Sequence, residues 1–258
     1  MSAVSINIGD GVAEVVLSRP DALNAISTQL ATELAEATDR LRSDPDVRVV
    51  LLAAEGDRAF CVGADLKERN GMSDADLLAQ RVVFRAAFGG VLHLPQPTVA
   101  AVHGFALGGG CELALSCDVV VADETAVLGL PEVSIGLVPG GGGTQLALRR
   151  LGPGRAADVV LTGRRIPAAE AMALGLVDRL VPAGSARAAA RDVAAQIAKN
   201  SPVATRAAKR ALRNGWSLDY AAAMDVEDAA WRTAATSADR REGIAAFNEK
   251  RPPVWPGR

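Results

Sequence analysis

Ala106-Leu-Gly-Gly-Gly-Cys-Glu112 is the stretch whose reading decides this chain's fold. Ahead of it, Val99-Ala-Ala-Val102 is a short apolar run of strand type, and Gly108-Gly-Gly110 then turns the backbone into a helix. Consecutive glycines at a helix N-terminus leave backbone N–H groups uncovered, where the helix dipole favours negative charge. Aimed at a carbonyl, such donors form an oxyanion hole. Glu112 sits within a few residues of them, and Leu130-Pro-Glu132 brings a second acid further on. Donors beside two carboxylates suit the addition of water next to a carbonyl. The plainer reading is a tight strand–helix contact, with Glu112 pairing with the helix dipole on a solvated face.

Outward from this stretch, strand-like and helix-like segments alternate. Val4 to Ile8 and Val12 to Leu17 flank Gly9-Asp-Gly11 as a hairpin, and Ser27 caps a helix carrying Leu30, Leu34 and Leu41. Val47 to Ala53, Pro97 to Val102 and Val119 to Ala122 read as buried strands, and the alternation implies parallel sheet with right-handed crossovers. Asp65 to Leu94 reads as a helical excursion or a mobile segment. From Gly143 onward helix follows helix: Pro167 suits a first helical turn and Gly175 a C-terminal cap. Leu176 to Val181 adds one more strand, and helices cover 186–199, 202–214 and 218–235.

The 258 residues carry 49% hydrophobic and 22% charged residues with a net charge of −2. That balance gives no electrostatic case for nucleic acid or an acidic membrane. No uncharged apolar run is long enough to span a bilayer, and the N-terminal residues lack a leader pattern. Cys61, Cys111 and Cys117 lack metal-ligand spacing and read as buried thiols, which fits a reduced cytosol. His93 and His103 fall in no triad or metal pattern. No dinucleotide fingerprint or phosphate loop appears, and no lysine follows the glycine run Gly140-Gly-Gly-Gly143.

The run Ala101-Val-His-Gly-Phe-Ala-Leu-Gly-Gly-Gly-Cys-Glu-Leu-Ala-Leu-Ser-Cys-Asp118 resembles the signature of the crotonase (enoyl-CoA hydratase/isomerase) superfamily. Further blocks follow the same order: Arg19-Pro-Asp-Ala-Leu-Asn-Ala25, Arg58-Ala-Phe-Cys-Val-Gly-Ala-Asp-Leu66, Leu130 to Gln145 and Arg241 to Arg251. Each block alone is weak; their combination spans nearly the whole chain. The resemblance implies an α/β fold, a spiral of ββα units over residues 1–195 holding the active site. A C-terminal helical region over 196–258 would build trimers, often paired into hexamers.

The resemblance also implies roles. Ala64 and Gly109 match the two positions whose backbone N–H groups grip a thioester oxygen, and Glu112 and Glu132 match the two glutamates of family hydratases. Glu112 is expected to activate water and Glu132 to deliver a proton to C2, the pair titrating as a coupled unit. Arg58 is expected at a coenzyme A phosphate or as an exposed turn residue, and Lys250 at the 3′-phosphate of a neighbouring subunit's ligand or at a solvated helix end, with Phe60, Cys61 and Val62 along the adenine edge. Gly63, Asp65, Leu66, Gly108, Pro131 and Gly140 complete the expected substrate contacts. Val62 departs from the small alanine or serine usual there, and the four-glycine run from a pattern with alanine.

The implied function is an enoyl-CoA hydratase that adds water syn across a trans-2-enoyl-CoA, with no cofactor beyond the coenzyme A of the substrate. The alternatives are an isomerase, a hydratase for branched or dicarboxylic acyl-CoA, or a non-catalytic acyl-CoA-binding or RNA-binding relative. Isomerases of the superfamily commonly lack the acid at the Glu112 position, so the pair favours hydration. The expected setting is a cytoplasmic homo-trimer or hexamer with neither membrane nor nucleic-acid partner.

Overall fold

Asp10 and Gly11 both adopt positive φ, +51° and +77°, and close the hairpin between strands β1 (Val4–Gly9) and β2 (Val12–Leu17). A computed structural model describes residues 2–258; Met1, counted in the expected first domain and leaderless N-terminus, lies outside the described residues. After the hairpin come α1 (Thr28–Arg42), β3 (Val49–Ala54), β4 (Ala59–Cys61), α2 (Leu66–Arg69) and α3 (Asp74–Leu92). Next are β5 (Thr98–Val102), β6 (Phe105–Leu107), α4 (Gly109–Ser116), β7 (Val119–Asp123) and β8 (Val127–Gly129). The chain continues through α5 (Gly143–Leu151), α6 (Pro153–Thr162), β9 (Ile166–Pro167), α7 (Ala168–Leu174) and β10 (Arg179–Val181). It finishes with α8 (Ala186–Ala198), α9 (Pro202–Gly215), α10 (Tyr220–Ala235) and α11 (Ala238–Glu249).

The strands form two sheets, ordered β1-β2-β3-β5-β7-β10 and β4-β6-β8-β9. Among the strand pairs of the described residues, the first hairpin and β8–β9 are antiparallel and the rest parallel. Each turn of the spiral gives one strand to each sheet: β3 and β4, then β5 and β6, then β7 and β8. The inner strands β2, β3, β5 and β7 are buried on both faces, as parallel sheets require. On β3, Val49, Leu51 and Ala53 meet Ala190, Val193, Ala194 and Ala198 of α8. Val50, Leu52 and Ala54 join the opposite core with Leu30, Leu34, Leu41, Phe84 and Phe88. Each large apolar side chain so buried contributes about 1.5–3 kcal/mol.

Several boundaries differ from the sequence reading. The segment 65–94 is helical, α2 and α3, with Ser73 and Asp76 forming a reciprocal capping box at the start of α3. Pro167 is the N-cap residue of α7, with ψ of +154°, and pairs with Val127 rather than entering the helix. The strand read from Leu176 begins at Arg179, because 171–177 closes α7 through bonds to Ala171 O. The division expected after residue 195 falls inside α8, which packs on the large sheet. Beyond it, α9 docks through a buried charge cluster: Asp118 meets Lys209 Nζ at 2.7 Å and Arg213 Nη2 at 2.8 Å.

Candidate active site

The site forms where the β4–α2 and β6–α4 connections meet. Gly63, at φ of +89°, brings them together, since a Cβ there would stand 3.0 Å from Leu107 O and 3.1 Å from Gly109 N. The following residue, Ala64, bridges Ile26: Ile26 N–H donates to Gly63 O at 2.8 Å and Asp65 N–H to Ile26 O at 2.9 Å. The Ala64 N–H is therefore not spent on that bridge. Gly108, at φ of +53°, is the N-cap of α4, which places the Gly109 N–H in the turn that has no intrahelical acceptor. A Cβ on Gly109 would reach Ile26 Cδ1 at 3.0 Å and Phe88 Cζ at 3.2 Å, so packing as well as ligand access demands glycine. Gly110 is tighter still: its Cβ would fall 1.9 Å from Cys61 O, where α4 lies on β4.

Ala64, Gly109, Glu112 and Glu132 line one cavity of about 390 Å³. Glu112, 3% exposed, is not on a solvated face. Its Oε1 accepts N–H groups from Gly141 at 2.6 Å and Gly143 at 2.7 Å. The four-glycine run thus cradles the carboxylate, with Gly142 turning at φ of +116°. Burial raises the Glu112 pKa, while the glycine N–H groups and the Arg81 charge oppose that rise. Glu132 lies on a single 3-10 turn, Pro131–Ile135. Burial pushes it up to about 7, against its own backbone N–H, and the Glu112 charge adds to the rise. Its Oε2 is buried without a hydrogen-bond partner among the described residues. Both carboxyl groups are thus held above the ordinary range, Glu132 as far as about 7, and both face one space.

Of the residues expected at the substrate, Val62, Gly63, Leu66, Gly108, Pro131 and Gly140 line the cavity. Other expected contacts do not. Phe60 and Cys61 are fully buried beneath it, and burial holds the Cys61 thiol at about 12. Asp65 accepts from Lys67 N and Glu68 N to cap α2 and pairs with Arg19 at 3.0 Å. Arg58 is exposed, with Nη2 donating to Pro20 O at 3.4 Å. Lys250 is an exposed left-handed cap of α11, φ +54°. What the sequence reading left unnamed are the individual residues of the wall built by α3. Leu77, Arg81, Phe84 and Phe88 line the cavity at i, i+4, i+7 and i+11, a helical stripe that was legible in the spacing.

The family model described as enoyl-CoA hydratase/isomerase matches residues 7–258. The chain belongs to the enoyl-CoA hydratase/isomerase family. A crystal structure of an enoyl-CoA hydratase from Bacillus anthracis superposes with a TM-score of 0.96 at 40% identity, covering 99% of this chain and 100% of that one. Its crotonase fold is the fold seen here. The mitochondrial enoyl-CoA hydratase domain-containing protein 2 of Bos taurus is 43% identical over 253 residues, covering 96% of this chain and 85% of its own. The enoyl-CoA isomerase/hydratase fer4 of Mycosarcoma maydis is 40% identical over 257 residues, covering 96% and 93%. Within the enoyl-CoA hydratase/isomerase family, names thus divide between two reactions, and the residues of the cavity must choose.

Proposed function

We propose that this protein is an enoyl-CoA hydratase, adding water syn across the C2–C3 double bond of a trans-2-enoyl-CoA to give the 3-hydroxyacyl-CoA. The observation that carries the reading is the convergence of two carboxyl groups, both raised in proton affinity by burial, on one cavity beside the Ala64 and Gly109 N–H groups. The thioester oxygen sits between those two donors, which stabilise the enolate-like charge that develops when C3 is attacked. Glu112, oriented by the glycine N–H groups, takes a proton from water as its oxygen bonds to C3. Glu132 gives its proton to C2. Coenzyme A is part of the substrate, and the reaction as written needs no further cofactor. An isomerase needs one group to shuttle a proton between carbons; a second cradled carboxylate favours hydration.

The same reading includes a homo-trimer or hexamer, supported by apolar side chains left open on α9–α11 and the turn between α9 and α10. Among them Leu212, Tyr220 and Phe247 are 75%, 82% and 81% exposed. It also includes a reducing compartment such as the cytosol, supported by three buried free thiols. No helix of the described residues is long and apolar enough to cross a membrane.

The test is crotonyl-CoA with the purified protein, following loss of the conjugated-thioester absorbance and the product mass. A gain of one water, slowed roughly 10²–10⁴-fold by Glu112→Gln, is expected. Double-bond migration in a 3-enoyl-CoA with no hydration of any 2-enoyl-CoA would overturn the reading in favour of an isomerase.

A further inference from the structure

Two guanidinium groups stand in the wall of the cavity that also holds Glu112 and Glu132, among mostly apolar neighbours. Arg69 on α2 and Arg81 on α3 line the same space as Leu77, Phe84 and Phe88. Arg69 is held in place, its Nε donating to Gln80 Oε1 at 2.9 Å and its Cζ lying 4.9 Å from the centre of the Phe84 ring. Gln80 is itself fixed by donating to Thr28 Oγ1 and Glu68 Oε2. Arg81, an exposed residue, reaches across to the glycine run, with Nη1 3.2 Å from the point where a Cβ on Gly140 would stand. Among the described residues Arg81 has no hydrogen bond and no carboxylate at ion-pair distance. Burial first, and then the Arg81 charge against the opposing pull of Glu68, hold Arg69 below the ordinary arginine range. The protein therefore turns two like charges toward one cavity and supplies Arg81 with no anion in contact.

We propose that the cavity selects 2-enoyl-CoA thioesters whose acyl chain ends in a carboxylate, with Arg81 as the group that meets it and Arg69 as its fixed neighbour. This rests on the acyl-CoA reading of the site, not on the direction of its chemistry. A planar guanidinium binds a carboxylate through two parallel N–H bonds, which gives both strength and orientation. The apolar remainder of the wall takes the methylene groups between the two ends. A methyl-ended chain offers neither guanidinium group an acceptor, so the carboxylate-ended chain is preferred by the bond it adds.

Two other roles for Arg81 are distinguishable. Its charge opposes protonation of Glu112, and an arginine there could instead meet a coenzyme A phosphate. Both effects act equally on every acyl-CoA, so the decisive quantity is a ratio. Calorimetry with the saturated ligands glutaryl-CoA and pentanoyl-CoA reads it without any turnover, and adipyl-CoA with hexanoyl-CoA repeats it at greater reach. The wild-type protein is expected to hold the carboxylate-ended ligand of at least one pair roughly tenfold more tightly, about 1.4 kcal/mol. Arg81→Gln is expected to shrink that preference to about threefold or less, with Arg81→Lys in between. Equal or tighter binding of the methyl-ended ligand in both pairs overturns the proposal on the wild-type protein alone. Equal weakening of both ligands by Arg81→Gln overturns the role of Arg81. A preserved preference with no hydration of the matching 2-enoyl pair would instead sink the hydratase reading and leave this inference standing.

Discussion

At the scale of single residues, the two glutamates show how environment divides one chemistry into two. Glu112 and Glu132 are the same side chain, yet one is gripped by two N–H donors while the other keeps a buried oxygen unpartnered. The second therefore holds its proton up to about pH 7, against an ordinary 4.5. Between those values the folded protein binds a proton that the unfolded chain has released. Stability associated with Glu132 thus falls as pH rises from near 4.5 through about 7. Glu132→Gln removes that dependence. Its melting temperature relative to wild type should be higher at pH 8 than at pH 5, measured by calorimetric scans at both values. A difference that shrinks or reverses toward pH 8 would mean Glu132 is charged at rest. The sequence made both acids visible, because their blocks are local. It placed neither the unpartnered oxygen nor the glycine grip, since both depend on segments far apart in the chain.

Elements set the distances at which those residues work. α4 is pressed onto β4 so closely that Gly110 has no room for a Cβ, which would lie 1.9 Å from Cys61 O. α5 begins where Gly143 touches the carboxylate, with a Cβ there 2.9 Å from Glu112 Oε1. The two glycines therefore predict opposite failures. Gly110→Ala should lift the helix and lower the urea midpoint, with a loss of about 3 kcal/mol or more. Gly143→Ala should spare most of the stability and cut kcat roughly 10–100-fold by moving the base. Urea titration and steady-state kinetics on the two variants check the contrast, and equal stability losses would refute it. Legibility followed the same line. β3, β5 and β7 were readable because each is an unbroken apolar run. The helix α3 was half-read, since its stripe of Leu77, Phe84 and Phe88 is interrupted by Arg81 and flanked by polar residues. Pro167 misled because a proline fits the N-cap as well as the first turn.

For the whole molecule, the helical tail is tied to the spiral by charge as well as by apolar contact. Asp118 follows α4 directly and accepts from Thr98 N, Thr98 Oγ1, Lys209 and Arg213. Burial alone would raise its pKa; Lys209 and Arg213 more than offset this and hold it below the usual carboxylate range. Asp118→Asn leaves the buried Lys209 ammonium without its counter-charge, at a cost of about 3–5 kcal/mol. Urea unfolding should show that loss, and a change below about 1 kcal/mol would mean the cluster is solvated. Such a link between residues 118 and 209 could not be read from a sequence in which each charge looks like any other. The grip on Glu112 has a separate consequence for how such a molecule diversifies. Main-chain N–H groups are indifferent to which side chains surround them, so Leu77, Leu78 and Val138 can be randomised while the base stays put. Substrate range and chemistry are then separately heritable, and a library built on those wall positions alone explores new ligands without relearning catalysis.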